Sequence, residues 1–204
     1  MFKGIRLMNR VTFSRESRDF RRTSLIEATA QCLAELGVAG TSVRAICARA
    51  GVSPGLLRHY FDGVDALISE TYRDTLDRLD GALESAVAAA GPDPRAQLIA
   101  YATASFRPPI SDSHMLATWI AYWSMVKADP AMAALHGESY AAYRAGLATL
   151  LGACGVPAAE HGELAIELTA LIDGLWLELT LDPTTFGADR ACAIATRWVD
   201  RVLP

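Results

Sequence analysis

Helical periodicity, cut at intervals by proline and glycine, governs what this chain can fold into. From Arg21 to Leu36 the apolar residues Leu25, Ala28, Cys32 and Leu36 recur at helical spacing, and Gly37 ends the run. Val43, Ile46, Cys47 and Ala50 then fall at i, i+3, i+4 and i+7, with Thr41 or Ser42 placed to cap them and Gly51 to close them. A short helix follows from Pro54 to Tyr60. A long one starts near Val64, with Ile68, Tyr72, Leu76, Leu79, Leu83 and Val87 on one side. Further breaks stand at Gly91-Pro92, Pro108-Pro109, Pro130, Gly155-Val156-Pro157 and Asp182-Pro183, with Asp93, Ser113 and Asp129 as caps. No stretch alternates β-branched with polar residues. The expectation is an all-α protein of about nine helices.

Charge divides the chain in two. Residues 1–62 carry a net +5 and residues 63–204 a net −9, within an overall −4. A basic head on an acidic body suits a polyanionic partner, although a solvated basic arm has the same composition. Residues 1–20 show no apolar period and read as a flexible basic arm bearing Lys3, Arg6, Arg10, Arg15 and Arg18. That charge and the absence of an apolar leader segment argue against export. No apolar run reaches the roughly 20 residues that span a bilayer, so the chain is expected in the cytoplasm without a membrane partner. Cys32, Cys47, Cys154 and Cys192 are widely spaced within helical patterns and read as thiols, not as a redox or zinc pair.

The stretch GVSPGLLRHYF, Gly51–Phe61, allows two readings. Its first five residues match G-x-S-x-G, the nucleophile elbow of serine hydrolases. An elbow needs a buried strand before the serine, and SVRAICARA has a helical period instead. As a helix-turn-helix, every residue has a task. Gly51 supplies a left-handed turn, Ser53 caps, and Pro54 sits at the first helical position, where its missing N–H costs nothing. Val52 can staple to Leu57, and Leu57 and Phe61 face inward. Gly55, Arg58, His59 and Tyr60 are left on the outer face. Arg can fork to guanine, His can donate to an acceptor, and Tyr can bond a phosphate. A helical hairpin without DNA would show much of the same pattern.

The segment TSVRAICARAGVSPGLLRHYFDGVDAL resembles the TetR-type regulators. Thr41, Ala45-Ile46, Ala50-Gly51-Val52-Ser53, Gly55, Leu57, Tyr60-Phe61 and Leu67 carry the match. The resemblance implies a three-helix DNA-binding head over residues 21–68, its helix-turn-helix at about 42–61, and an all-α effector-binding and dimerising body over 69–204. It implies a palindromic operator contacted by Thr41, Ser42, Arg44, Ser53, Pro54, Gly55, Arg58, His59 and Tyr60, and no catalytic residue. One departure stands out. The family often has lysines just after the Phe, where this chain has Asp62, Gly63 and Val64. The basic arm, Arg21, Arg22, Arg44 or Arg49 are the available replacements, and helix N–H groups can still bind phosphate.

HYF (59–61) and the phrases TWIAYWSMVKADP (118–130) and LIDGLW (171–176) resemble the BetI-type choline-responsive branch, although related branches for other amines or pyrimidines share such phrases. Met115, Trp119, Tyr122, Trp123 and Val126 share a helix face within about 100° and suit either a pocket or ordinary core. If choline or betaine aldehyde is the effector, Trp119, Tyr122, Trp123 and Trp176 are the candidate cage. Asp173 or Glu178 would balance the charge, and Tyr140 and Tyr143 would bond a hydroxyl or aldehyde. A homodimer interface is expected on the last two helices, through Leu168, Leu175, Leu179, Ile194, Trp198 and Val202; a single monomeric core is the alternative. No cofactor or metal is expected, because Glu160, Glu163 and Glu167 have no E-x-x-H beside them and Cys154 with His161 is a lone pair. An all-α enzyme is the rival class.

Overall fold

The computed structural model describes residues 4–204, with side chains from Arg18 onward apart from Ser113; residues 1–3, and with them Lys3, lie outside it. Among the described residues the chain is all helix: α1 (Gly4–Gly40), α2 (Val43–Ala50), α3 (Pro54–Tyr60), α4 (Val64–Ala89), α5 (Pro94–Ala104), α6 (Ser113–Val126), α7 (Pro130–Ala153), α8 (His161–Leu181) and α9 (Ala188–Val202). The described residues separate into two compact units that divide between Asp74 and Thr75, within α4.

The ends of the helices are set by the expected chemistry. Gly37 breaks the regular course of α1 with φ 65°. Ser42 caps α2 by accepting the Ala45 N–H, while the Thr41 hydroxyl donates back to the Gly37 carbonyl. Gly51, at φ 65°, takes the left-handed turn that a side chain would disfavour. Ser53 caps α3 by accepting the Leu56 N–H, with Pro54 in the first turn. The caps of α5 and α7 are Asp93 and Asp129, as expected. The cap of α6 is Asp112, not Ser113. The Asp112 carboxylate accepts from both the His114 and Met115 N–H groups.

The N-terminal segment departs from its reading as a flexible arm. Its backbone is helical from Gly4 and continuous with the rest of α1. No proline interrupts residues 4–36, and Arg, Leu, Met and Glu favour helix. An apolar period is needed to pack a helix, but extending one that packing has already nucleated needs only propagation.

The first unit closes on Leu25, Ile26, Cys32, Ile46, Leu57 and Leu67, with Val52 packed against them as the staple requires. The second unit surrounds α8, whose Ala165, Leu168, Thr169, Ile172, Leu175 and Trp176 are buried. There α7 packs on α8, and α9 lays its apolar face on α5 and α8. Cys32, Cys47 and Cys192 are buried and Cys154 half-buried; all four are free thiols, and burial raises the pKa of each.

Candidate DNA-binding head and effector pocket

The outer face of the first unit follows from the inward anchoring of α3. Leu57 is fully buried and Phe61 nearly so. Helical geometry then turns Gly55, Arg58 and His59 outward, and all three are exposed, with Tyr60 half-buried beside them. The His59 and Tyr60 rings meet edge to face at 5.2 Å. Ser42, Arg44, Ser53 and Pro54 are exposed near the helix starts. Thr41 is buried, and its hydroxyl is bonded within the fold. Gly51 is preceded by α2, not by a strand, and the Ser53 oxygen is a capping acceptor. The arrangement of a nucleophile elbow is therefore absent from Gly51–Gly55.

The basic residues divide by partner. Arg22 is ion-paired with Glu70, and its guanidinium lies 5.6 Å from the Phe61 ring centre. Arg49 is ion-paired with Glu35 and also bonds Gln31. Arg18 reaches the His59 Nε2 at 3.5 Å.

In the second unit a cavity of about 50 Å³ lies among α4, α6, α7 and α8. Trp119 and Trp123 enter it from α6, Tyr140 and Tyr143 from α7, and Asp173 and Trp176 from α8. These six were expected from the sequence. Trp119 and Trp176 meet edge to face, with ring centres 5.9 Å apart, and the Trp176 indole N–H donates to the Ser105 carbonyl at 3.1 Å. The Tyr140 hydroxyl donates to the Asp173 carboxylate, 3.1 Å from Oδ2 and 3.2 Å from Oδ1. Burial pushes the Asp173 pKa up to about 6, against the opposing pull of the Tyr140 hydroxyl and the Arg144 charge. Arg144 stacks over Tyr140 at 5.6 Å, and His136 lies against the same ring at 4.1 Å. Burial, with the Arg144 charge, lowers the His136 pKa and so favours its neutral form. The Trp123 indole N–H is buried without a hydrogen-bond partner among the described residues.

Two expected lining residues fall elsewhere. Tyr122 is fully buried with its hydroxyl 3.3 Å from that of Thr75, and Met115, half-buried near the start of α6, is outside the cavity wall. A stripe of about 100° is wider than one cavity, so its edges serve the core. Glu178 is exposed and also outside the wall. The sequence reading missed Asp80, a second carboxylate that α4 brings to the cavity. Its pKa is raised by partial burial and by the nearby charges of Asp77 and Glu84. Nothing in its local pattern singles it out, because α4 carries acidic residues along much of its length.

The expected dimer residues need correction. Leu168, Leu175 and Trp198 are covered within one chain, so they offer no surface to a second copy. Leu179, Ile194 and Val202 are half-buried. The apolar side chains that α8 leaves outside are Ile166, Leu177 and Leu181, at 51%, 39% and 76% exposure.

Comparison with known proteins decides the family. Residues 25–71 match the family described as bacterial regulatory proteins, tetR family, and residues 94–204 match the BetI-type transcriptional repressor C-terminal domain. The chain belongs to the TetR family. It is similar to the HTH-type transcriptional regulator BetI of Burkholderia thailandensis, at 34% identity over 91% of this chain and 95% of the relative. A transcriptional regulator from Pseudomonas aeruginosa PAO1 superposes with a TM-score of 0.81 at 40% identity, covering 90% of each chain. A regulator from Saccharomonospora viridis solved in complex with choline shares the fold, with a TM-score of 0.76 at 19% identity over 89% of this chain and 96% of that one. This TetR-family chain is thus a DNA-binding transcriptional repressor of the BetI type, and its relatives are regulators, not enzymes. Among the described residues no helix is long and apolar enough to cross a membrane.

Proposed function

We propose that the cavity in the second unit takes a small quaternary ammonium compound, choline or betaine aldehyde, and that its binding releases the operator. The observation that carries this reading is a half-buried carboxylate, Asp173, set among the rings of Trp119, Trp123, Tyr140 and Trp176. A quaternary ammonium head has no N–H to donate. It is held by aromatic faces, each contributing up to about 2 kcal/mol when desolvated, and by a negative charge at a distance. The Trp123 indole N–H is a donor suited to a hydroxyl or aldehyde oxygen. The complex of the Saccharomonospora viridis regulator with choline supports the same ligand class.

A ligand that binds one arrangement of the cavity walls better than another shifts the population toward it. Leu79 and Asp80 place α4 in that wall, while Leu67 of the same helix lies in the core of the first unit.

In this reading the repressor is a cytoplasmic homodimer, and α3 with the starts of α2 and α3 contacts a palindromic operator through Ser42, Arg44, Ser53, Pro54, Gly55, Arg58, His59 and Tyr60. The dimer face runs along the outer strip of α8, Ile166, Ala170, Gly174, Leu177 and Leu181, whose small central residues allow close approach. Glu163 and Glu167 on α8 and Arg190 and Arg197 on α9 are exposed with opposite charges, which suits a two-fold pairing. Tryptophan fluorescence and a gel shift on the DNA upstream of the protein's own gene test the proposal. Choline or betaine aldehyde should shift both readouts, and Trp123→Phe should weaken the response with operator binding intact. No effect of either compound at millimolar concentration removes the assignment.

A further inference from the structure

We propose that Arg18, on the N-terminal extension of α1, is a phosphate contact of the DNA-binding surface and replaces the charge missing at the start of α4. The α4 start is poorly equipped for phosphate here. Asp62 and Asp65 are exposed beside it, and no lysine follows Phe61. Helix N–H groups at that end must therefore bind an anion against two nearby negative charges.

The extension offers an alternative. Residues 4–20 are helical, so Arg18 is carried on a helix and not on a loose tail. It is exposed, and its guanidinium lies 3.5 Å from the His59 Nε2 on the outer face of α3. A donor that reaches the reading helix is within one side-chain length of the groove edge that this helix would occupy, where phosphates line the backbone. In that contact the Arg18 N–H can only donate, so the His59 Nε2 is the acceptor. The guanidinium has further N–H donors, in the fork geometry that suits a phosphate.

Arg22 fixes this placement. It lies one turn further along the same face, paired with Glu70 and stacked on Phe61. Its charge is engaged within the fold, as is that of Arg49 with Glu35. Arg22 is thus a positioning residue: it holds α1 at the α3–α4 corner and so aims Arg18 at the groove edge.

Binding of the full-length protein to two duplexes across a salt series tests the assignment: the DNA upstream of its own gene and a scrambled duplex of equal length. Using both makes the test independent of the exact operator. Arg18→Ala should lower the magnitude of the log K against log salt slope by about 0.9 for each Arg18 in the complex. Affinity should fall on both duplexes alike, since a phosphate contact carries no sequence information. Arg18→Lys should restore the slope and Arg18→Gln should not. Melting temperature and effector binding should stay at parental values, because the side chain is exposed. An unchanged slope for Arg18→Ala overturns the proposal. A loss confined to the upstream DNA also overturns it, by making Arg18 a base reader. Arg22→Ala should reproduce the flattened slope although its own charge is engaged, and a parental slope there would remove its positioning role.

Discussion

Replacing Asp173 by Asn should make the ligand-free repressor more stable while weakening its response to a cationic effector. Burial raises the Asp173 pKa from 3.8 to about 6. That rise corresponds to about 3 kcal/mol by which the fold disfavours the ionised carboxylate, with the Tyr140 hydrogen bond already included. Asn keeps an oxygen to accept from the Tyr140 hydroxyl and carries no charge. The gain is about 3 kcal/mol at neutral pH, or about 6–12 °C in melting temperature for a chain of this size. The pH dependence follows from the raised folded pKa. Below about 3.8 the carboxyl is protonated in both the folded and unfolded states, and parent and variant should differ little. Between about 4 and 6 the unfolded chain loses the proton while the fold retains it, so the parent loses stability relative to the variant. Above about 6 the gap should be constant. Thermal unfolding at pH 4, 5, 6 and 7.5, at one protein concentration, reads this directly. Added choline should reverse the ranking at pH 7.5, because a cation beside Asp173 favours its ionised form. Parental affinity for choline should accordingly rise from pH 5 to 7. A gap equal at pH 4 and 7.5, or an Asn variant that melts below the parent at pH 7.5, refutes the reasoning.

Two further expectations concern the other surfaces. Arg58→Ala and His59→Ala should each reduce operator affinity by about 1–3 kcal/mol and relax sequence preference, with the fold unchanged; parental operator binding by both in gel shifts would remove α3 as the reader. Ile166→Glu and Leu177→Glu should yield folded monomers by sedimentation that bind the operator poorly, since a charge is placed on the apolar strip without disturbing the core. Persistent dimers from both would locate the interface elsewhere. Leu175→Glu, in contrast, should unfold the chain itself.

The helix-turn-helix was legible in the sequence because its determinants are local. Gly51 turns, Ser42 and Ser53 cap, Pro54 starts α3, and Leu57 and Phe61 point inward, each acting over a few residues. The cavity lining was partly legible for the same reason: Trp119 and Trp123 are one turn apart on α6, and Asp173 and Trp176 three residues apart on α8, so helical geometry puts each pair on one face. Tertiary structure decided how those faces were used. Tyr122 shares the α6 stripe, yet it packs into the core against Thr75 because the stripe is wider than the cavity. Asp80 joined the pocket because of where α4 lies beside α6 and α8, and no local pattern records that placement. The α8 apolar residues nearly encircle the helix, which announces burial without telling inside from interface. Only packing showed that Leu168 and Leu175 belong to one chain's core while Ile166, Leu177 and Leu181 remain uncovered. Periodicity records that a residue is hidden from water; which neighbour hides it depends on contacts between segments distant in sequence.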